Sequence, residues 1–216
     1  MSTLLVPYYE HPSVRPAEWD ALIAAAPLLY GVVLNPASGP GDRPDAAFAE
    51  VAARLRAEGV RVLGYADTDY GRRPATDVVR DLTRHRDWFG TDGAFLDQVP
   101  SGPEEFEHYQ RLAVAAWGVG CGTLVLNHGT APHPCYARIA DVLVTFEGTW
   151  ASYRAQIPQP WPGGPDVRLC HLVYDVPPDA DPEALARARG AALHCAVPGT
   201  GDHPWGTLPH TLENTP

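Results

Sequence analysis

The chain contains no lysine: all 16 of its basic residues are arginine. In a sequence this rich in Ala, Gly and Pro, that reflects codon usage rather than mechanism. Acidic residues outnumber basic ones 26 to 16, giving a formal net charge of −10 and a pI near 5.2. Such a balance excludes a nucleic-acid partner, which needs a basic face, and is compatible with a neutral or cationic ligand. Cysteine is also sparse. Cys121, Cys135, Cys170 and Cys195 form no CxxC pair, which excludes a zinc knuckle or a thioredoxin-type site. Buried free thiols are expected instead. No apolar run approaches the ~18 residues that a membrane span requires, so no membrane partner is expected. The opening "MSTLLVPYYEHP" lacks the basic and long apolar regions of a signal peptide. The expected location is therefore cytoplasmic as the sequence stands, and secreted if a leader has been removed.

What the chain does have is a regular alternation. Eight short apolar runs follow one another: residues 4–9, 30–36, 60–67, 93–99, 123–129, 141–148, 167–176 and 191–199. Amphipathic stretches separate many of them. "DAAFAEVAARLRAEG" sets Phe48, Val51, Ala52 and Leu55 at i, i+3, i+4 and i+7 and stops on Gly59. "PAEWDALIAAA" places Pro16 in a first helical turn, where its missing N–H costs nothing. "PATDVVRDLTRHRDWFG", "SGPEEFEHYQRLAVAAWGVG" and "DPEALARARG" read the same way. Strand–helix alternation implies a parallel sheet, because parallel neighbours need crossover connections. Eight repeats predict a compact α/β fold, a (β/α)8 TIM-like barrel, formed as a single domain over residues 1–216. The rival, an open doubly wound sheet, usually carries a glycine-rich turn after its first strand. Here that strand runs into "YYEHPSV", without glycine. "PQPWPGGPD" (158–166) reads as a long loop after the sixth strand.

In such barrels the chemistry sits where the strands end. Those ends are polar: Tyr8, Tyr9, Glu10 and His11; Asn35 and Ser38; Tyr65, Asp67 and Asp69; Asp97 and Gln98; Asn127 and His128; Glu147; Tyr174 and Asp175. Side chains alternate along a strand, so Phe95 and Asp97 share one side while Leu96 and Gln98 share the other. In the sixth run Leu143, Thr145 and Glu147 share a side. A carboxylate facing the outer helices would be buried at high cost. Asp97 and Glu147 are thus expected to point into the barrel mouth, and Gln98 to lean outward. Two carboxylates converging on one polar mouth suit glycosidic-bond hydrolysis, one as acid and one as nucleophile or base. Tyr8, Tyr9, Tyr65, Trp150, Tyr153 and Trp205 lie at or just after strand ends, where flat rings can stack on pyranose faces.

A metal-dependent hydrolase built from Asp67, Asp69, His11 and His128 is a separate possibility. Asp67-Thr68-Asp69 is a DxD triplet, but Asp is common in turns and no HxH or HExxH spacing supports it. No metal and no cofactor are therefore expected.

Six segments, taken in order, resemble one family, the spherulin-4-like (spherulation-specific family 4) proteins. They are "LLVPYYEHPS", "LNPASGPG", "GYADTDYGRR", "DGAFLDQVPSG", "LNHGTAPHPCYARIADVLVTFEGTWASY" and "HPWGTLP". The resemblance implies a compact (β/α)8 barrel. It also implies a link to glycoside hydrolases of α-1,4-linked galactosamine or N-acetylgalactosamine polymers, of the kind found in fungal galactosaminogalactan. It implies an Asp-Glu pair at the fourth strand and a Glu at the sixth. Asp97 and Glu147 match; Gln98 stands where the second carboxylate of the pair is expected. The catalytic residues are accordingly expected to be Asp97 and Glu147. The substrate-binding set is Tyr8, Asn35, Tyr65, Asp67, Gln98, Asn127, His128 and Trp150, with Trp150 as a stacking face. The expected partner is an oligo- or polysaccharide containing amino sugars, bound by a monomer. The substitution at Gln98 keeps open a carbohydrate-binding barrel without turnover, or one that has lost its ancestral role.

Overall fold

Each of the eight apolar runs forms a strand. The computed structural model describes residues 3–157, 160–164 and 166–213. The strands are β1 (Leu4–Pro7), β2 (Leu29–Leu34), β3 (Arg61–Asp67), β4 (Gly93–Asp97), β5 (Thr123–Asn127), β6 (Val142–Thr149), β7 (Arg168–Tyr174) and β8 (Leu193–Ala196). All neighbours pair in parallel and β8 returns to β1, closing the barrel in sequence order. The expected (β/α)8 architecture is what the chain adopts.

Helices α1 (Pro16–Ala24), α2 (Ala46–Ala57), α3 (Ala75–Phe89) and α4 (Phe106–Gly118) cover the first half. Their ends follow local chemistry. Pro16 occupies the first turn of α1. The Asp45 carboxylate caps α2, accepting from the N–H groups of Ala47 (2.9 Å) and Phe48 (3.4 Å). The second half is thinner. Between β5 and β6 there is only a short 3-10 turn, Pro134–Arg138, and the later helices α5 (Trp150–Ala155), α6 (Pro182–Ala188) and α7 (His210–Glu213) are brief. The loop expected over 158–166 includes 158, 159 and 165, which lie outside the described residues; 160–164 belong to no helix or strand. Among the described residues no helix is long and apolar enough to cross a membrane.

Register shows which side chains fill the barrel. Leu63, Tyr65 and Asp67 of β3 stand opposite Gly93, Phe95 and Asp97 of β4, and Phe95 stands opposite Val125 of β5. The middle of the barrel is apolar: Leu5, Val33, Leu63, Phe95, Val125, Val144, Cys170, Leu172 and Cys195 are all buried. At the lower end the guanidinium groups of Arg61 and Arg168 lie over the Tyr30 ring, at 4.7 and 5.5 Å. Outward-facing Ala94, Leu96, Leu124, Leu126 and Leu143 pack with Val78 and Leu82 of α3 and Tyr109 and Leu112 of α4. Gly64 is needed for that contact: a Cβ there would lie 2.5 Å from the His85 ring, whose Nε2 bonds the Tyr65 carbonyl at 2.8 Å. Cys121, Cys170 and Cys195 are buried free thiols, and Cys135 is half-buried.

Candidate active site

β4 brings Asp97 to the mouth in register with Asp67 of β3. Three donors converge on its carboxylate. Tyr65 Oη donates to Oδ2 at 2.6 Å, Asn127 Nδ2 donates to Oδ1 at 2.7 Å, and the Gln98 backbone N–H donates to Oδ1 at 2.9 Å. The same Asn127 nitrogen also donates to Glu147 Oε2 at 2.6 Å. Its carbonyl Oδ1 accepts from the Gly129 N–H at 3.1 Å, which fixes the amide so that the NH2 faces the acids. Trp205 Nε1 donates to the other Glu147 oxygen at 3.3 Å. One amide thus bridges two carboxylates from strands two apart in the barrel.

Glu147 reaches this place by a route that strand alternation does not foresee. Leu143 faces the outer helices with Leu126 and Leu96. The β6–β7 register then slips between Val144 and Phe146, leaving Thr145 as an extra residue. Phe146 therefore packs outward on Tyr153 (4.6 Å between rings), and Glu147 turns inward. Leu143 and Glu147 do not share a side; the bulge reverses the parity. Gln98 departs from alternation as well. The strand ends at Asp97, Gln98 takes a left-handed backbone (φ 54°), and the residue is part of the cleft.

The cleft is ≈ 280 Å³ and includes Asp97, Gln98, Asn127, His128, Glu147 and, at its edge, Tyr70. Burial raises the Glu147 pKa above its ordinary value, and the Asp97 charge adds to the rise, while the bonds from Asn127 and Trp205 oppose it. Burial and the adjacent Asp97 keep the Tyr65 hydroxyl protonated as a donor. His128 is pushed down to about 4 by burial, and its Nδ1–H donates to the Pro100 carbonyl at 2.9 Å. It is a neutral ring in the cleft wall, set edge-on to Tyr136 at 4.7 Å.

Four other expected residues are placed differently. Tyr8 points away from the mouth: it is fully buried against Trp19 of α1, with ring centroids 5.2 Å apart. Its neighbour Tyr9 faces the mouth, 5.9 Å from the Tyr65 ring. Trp150 sits outside the barrel wall, packed with Phe146 and Tyr153. Asn35 uses its side-chain oxygen on the Gly39 N–H (2.7 Å), bracing the loop after β2. Asp67 accepts from the Asp69 N–H at 2.7 Å, and Asp69 pairs with Arg72, so the DxD triplet builds a turn. His11 pairs with Asp45 at 3.1 Å, remote in bonding from His128. Among the described residues no cluster of three or more His, Cys, Asp or Glu side chains is arranged to hold a metal.

Tyr70 is new to the site, while Tyr9 and Trp205, already candidate rings at the strand ends, join the mouth. Trp205 sits in "HPWGTLP", one of the segments that carry the family resemblance. Choosing Tyr9 over Tyr8 required knowing which face of β1 is inside. Tyr70 sends no signal in the sequence beyond following a DxD turn.

Residues 3–207 match the family described as Spherulation-specific family 4. The chain belongs to that family. Spherulin-4 of Physarum polycephalum is 33% identical over 149 residues, covering 67% of this chain and 44% of its own length. The chain thus spans less than half of that relative. The crystal structure of Aspergillus clavatus Sph3 in complex with GalNAc superimposes with a TM-score of 0.81 at 27% identity, covering 98% of this chain and 95% of that one. A tryptophan synthase structure from Pyrococcus furiosus matches at a TM-score of 0.55 and 16% identity over 91% of this chain and 87% of that one, which shows the shared barrel alone. Family membership thus rests on nearly the whole chain, and the Asp97–Asn127–Glu147 bridge lies within the matched segment.

Proposed function

We propose that this protein is a glycoside hydrolase that cleaves α-1,4-linked galactosamine or N-acetylgalactosamine polysaccharide with Asp97 and Glu147. The observation that carries this reading is the single Asn127 nitrogen bonded to both carboxylates. Glu147, whose burial favours the protonated form, is the acid. It gives its proton to the glycosidic oxygen as the C–O bond breaks, so the leaving sugar departs as an alcohol. Asp97, held by three donors, meets the anomeric carbon. The two oxygens on Asn127 are separated by no more than its two bonds laid end to end. Such closeness of the facing oxygens favours the shorter carboxyl separation of retaining enzymes, ~5–5.5 Å, over the roughly 6.5–9.5 Å of inverting ones. In the retaining course Asp97 forms a glycosyl ester, then water replaces it while Glu147 takes the water's proton. The substrate class rests on the resemblance to Sph3, whose structure contains GalNAc.

Gln98 favours a second reading, a carbohydrate-binding barrel without turnover, because this cleft residue carries an amide where the resemblance implies a carboxylate. One experiment separates them. The protein is incubated with a panel of amino-sugar polymers, and released oligosaccharides are followed by mass spectrometry. Hydrolysis that disappears in Asp97→Asn, with the fold intact by circular dichroism, supports the enzyme. Binding without release, unaltered by Glu147→Gln, supports the binder; full activity in Asp97→Asn removes the assignment.

A further inference from the structure

Tyr70 is not used by the chemistry above, yet the fold holds it with unusual care. It is one of few large apolar side chains on the surface, 52% exposed, and it lines the cleft that contains Asp97, Gln98 and Glu147. Its backbone is left-handed (φ 54°, ψ 36°) and follows another left-handed residue, Asp69 (φ 46°). Such a conformation is unfavourable for any residue with a Cβ and is rare for a tyrosine. Where it persists, the surrounding structure imposes it.

Several of the imposing contacts run to the end of β4. The Thr68 N–H and hydroxyl both donate to the Asp97 carbonyl, at 3.1 and 2.7 Å. The Tyr70 N–H donates to the Gln98 carbonyl at 2.9 Å. Thr68 is fully buried, with its hydroxyl 2.6 Å from Tyr109 Oη. The turn carrying Tyr70 is therefore clamped to the two residues that end in the cleft. On the solvent side the Arg72 guanidinium lies 5.6 Å over the Tyr70 ring, itself anchored by Asp69. A half-exposed ring, strained in backbone, backed by a cation and registered against Asp97, is a preorganised platform at the rim of the cleft.

We propose that Tyr70 stacks against a pyranose next to the one being cleaved, the apolar C–H face of that sugar lying on the ring. Because Asp97 and Glu147 sit deeper and Tyr70 stands at the edge, the contact belongs to a neighbouring sugar of the chain. This inference rests on the glycosidase reading.

The test uses binding to the Asp97→Asn protein, so that ligand is not consumed. Galactosamine and N-acetylgalactosamine oligomers of rising length, from the single sugar upward, are titrated by calorimetry. Adding Tyr70→Ala should weaken the longer oligomers about tenfold, the scale of one aromatic contact, and leave the single sugar unchanged. Adding Tyr70→Phe should preserve both. Adding Tyr70→Gly should weaken the longer oligomers equally while raising Tm, because glycine fits the left-handed position; it serves the same test if the alanine variant folds poorly. Equal affinity of the Tyr70→Ala and Tyr70-containing proteins at every length overturns this inference alone. A Tyr70-containing protein that neither binds nor, with Asp97 restored, cleaves any amino-sugar oligomer overturns the glycosidase reading as well.

Discussion

β4 is flanked by an aspartate at each end, and the two are employed in opposite ways. Asp92, just before the strand at the lower rim, is exposed; its N–H donates to the Val62 carbonyl at 2.7 Å and its carboxylate accepts the Val62 N–H at 3.0 Å. Asp141 does the same to Leu124 before β6, at 2.9 and 2.8 Å. These carboxylates stitch adjacent strands together. Asp97, at the upper end, takes its three donors largely from side chains and shares one of them with a second acid. The backbone repeats the contrast. The lower turns that need positive φ use glycine, at Gly59, Gly90, Gly120 and Gly190; Gly90 ends α3 at φ 65°, and a Cβ there would also press on the Arg56 guanidinium. At the upper rim Ser38, Asp69, Tyr70, Gln98 and Asp175 adopt positive φ with side chains attached. Each costs on the order of 1–3 kcal/mol. The lower end is built for stability, and the upper end gives some of it up to aim particular side chains.

The largest effect that can break this comparison is expected from Asn127→Ala. The variant loses the donor common to both acids, and turnover should fall about 100-fold, as when one preorganised donor is removed from a reacting site. A second readout distinguishes this from simple loosening. The Asn127 bond lowers the Glu147 pKa. Without it Glu147 stays protonated to higher pH, so the alkaline limb of the kcat/KM profile should move upward. A profile that falls in height without moving on the pH axis argues that Asn127 acts only on packing.

The opposite end supplies the next test. Asp92→Ala leaves the Val62 N–H without its side-chain acceptor and should lower stability by about 1 kcal/mol in denaturant titration. Turnover should be unchanged. If Asp92→Ala impairs turnover as severely as Asn127→Ala, the two rims are not functionally separate.

Much of this contrast was legible in the sequence, and the exceptions have physical causes. All eight strands were readable because short apolar runs alternate with helical periodicity and glycine stops. The polar strand ends were readable for the same reason, since β4 and β5 finish directly on Asp97 and Asn127. What failed was direction. Alternation assumes an unbroken pleat, and the Thr145 bulge and the left-handed Gln98 each break it at the mouth. The tyrosine pair at the end of β1 could not be assigned because either ring is apolar enough for the core; only the proximity of Trp19 shows that Tyr8 is the buried one. Trp150 was misplaced because Thr149 caps a helix at once, through the Ser152 N–H at 3.1 Å, and carries the indole to the outer wall.

The smallest expected signal concerns the cost of the upper rim, read through Glu147. Its folded-state pKa is raised, chiefly by burial. A carboxyl group whose pKa rises on folding binds its proton more tightly in the native state. Its contribution to stability is therefore fully present below the unfolded pKa, about 4.3 for glutamate, and is lost as pH climbs through the raised folded value. Glu147→Gln does not titrate and escapes that loss. The Tm of the variant minus that of the parent should become more positive between pH 4 and pH 7, whatever its sign at pH 4, where lost hydrogen-bond geometry with Asn127 and Trp205 sets the baseline. A difference that stays flat across this interval means that Glu147 ionises without penalty. In that case its burial does not prepare it as an acid, and the upper rim is no more strained electrostatically than the lower one.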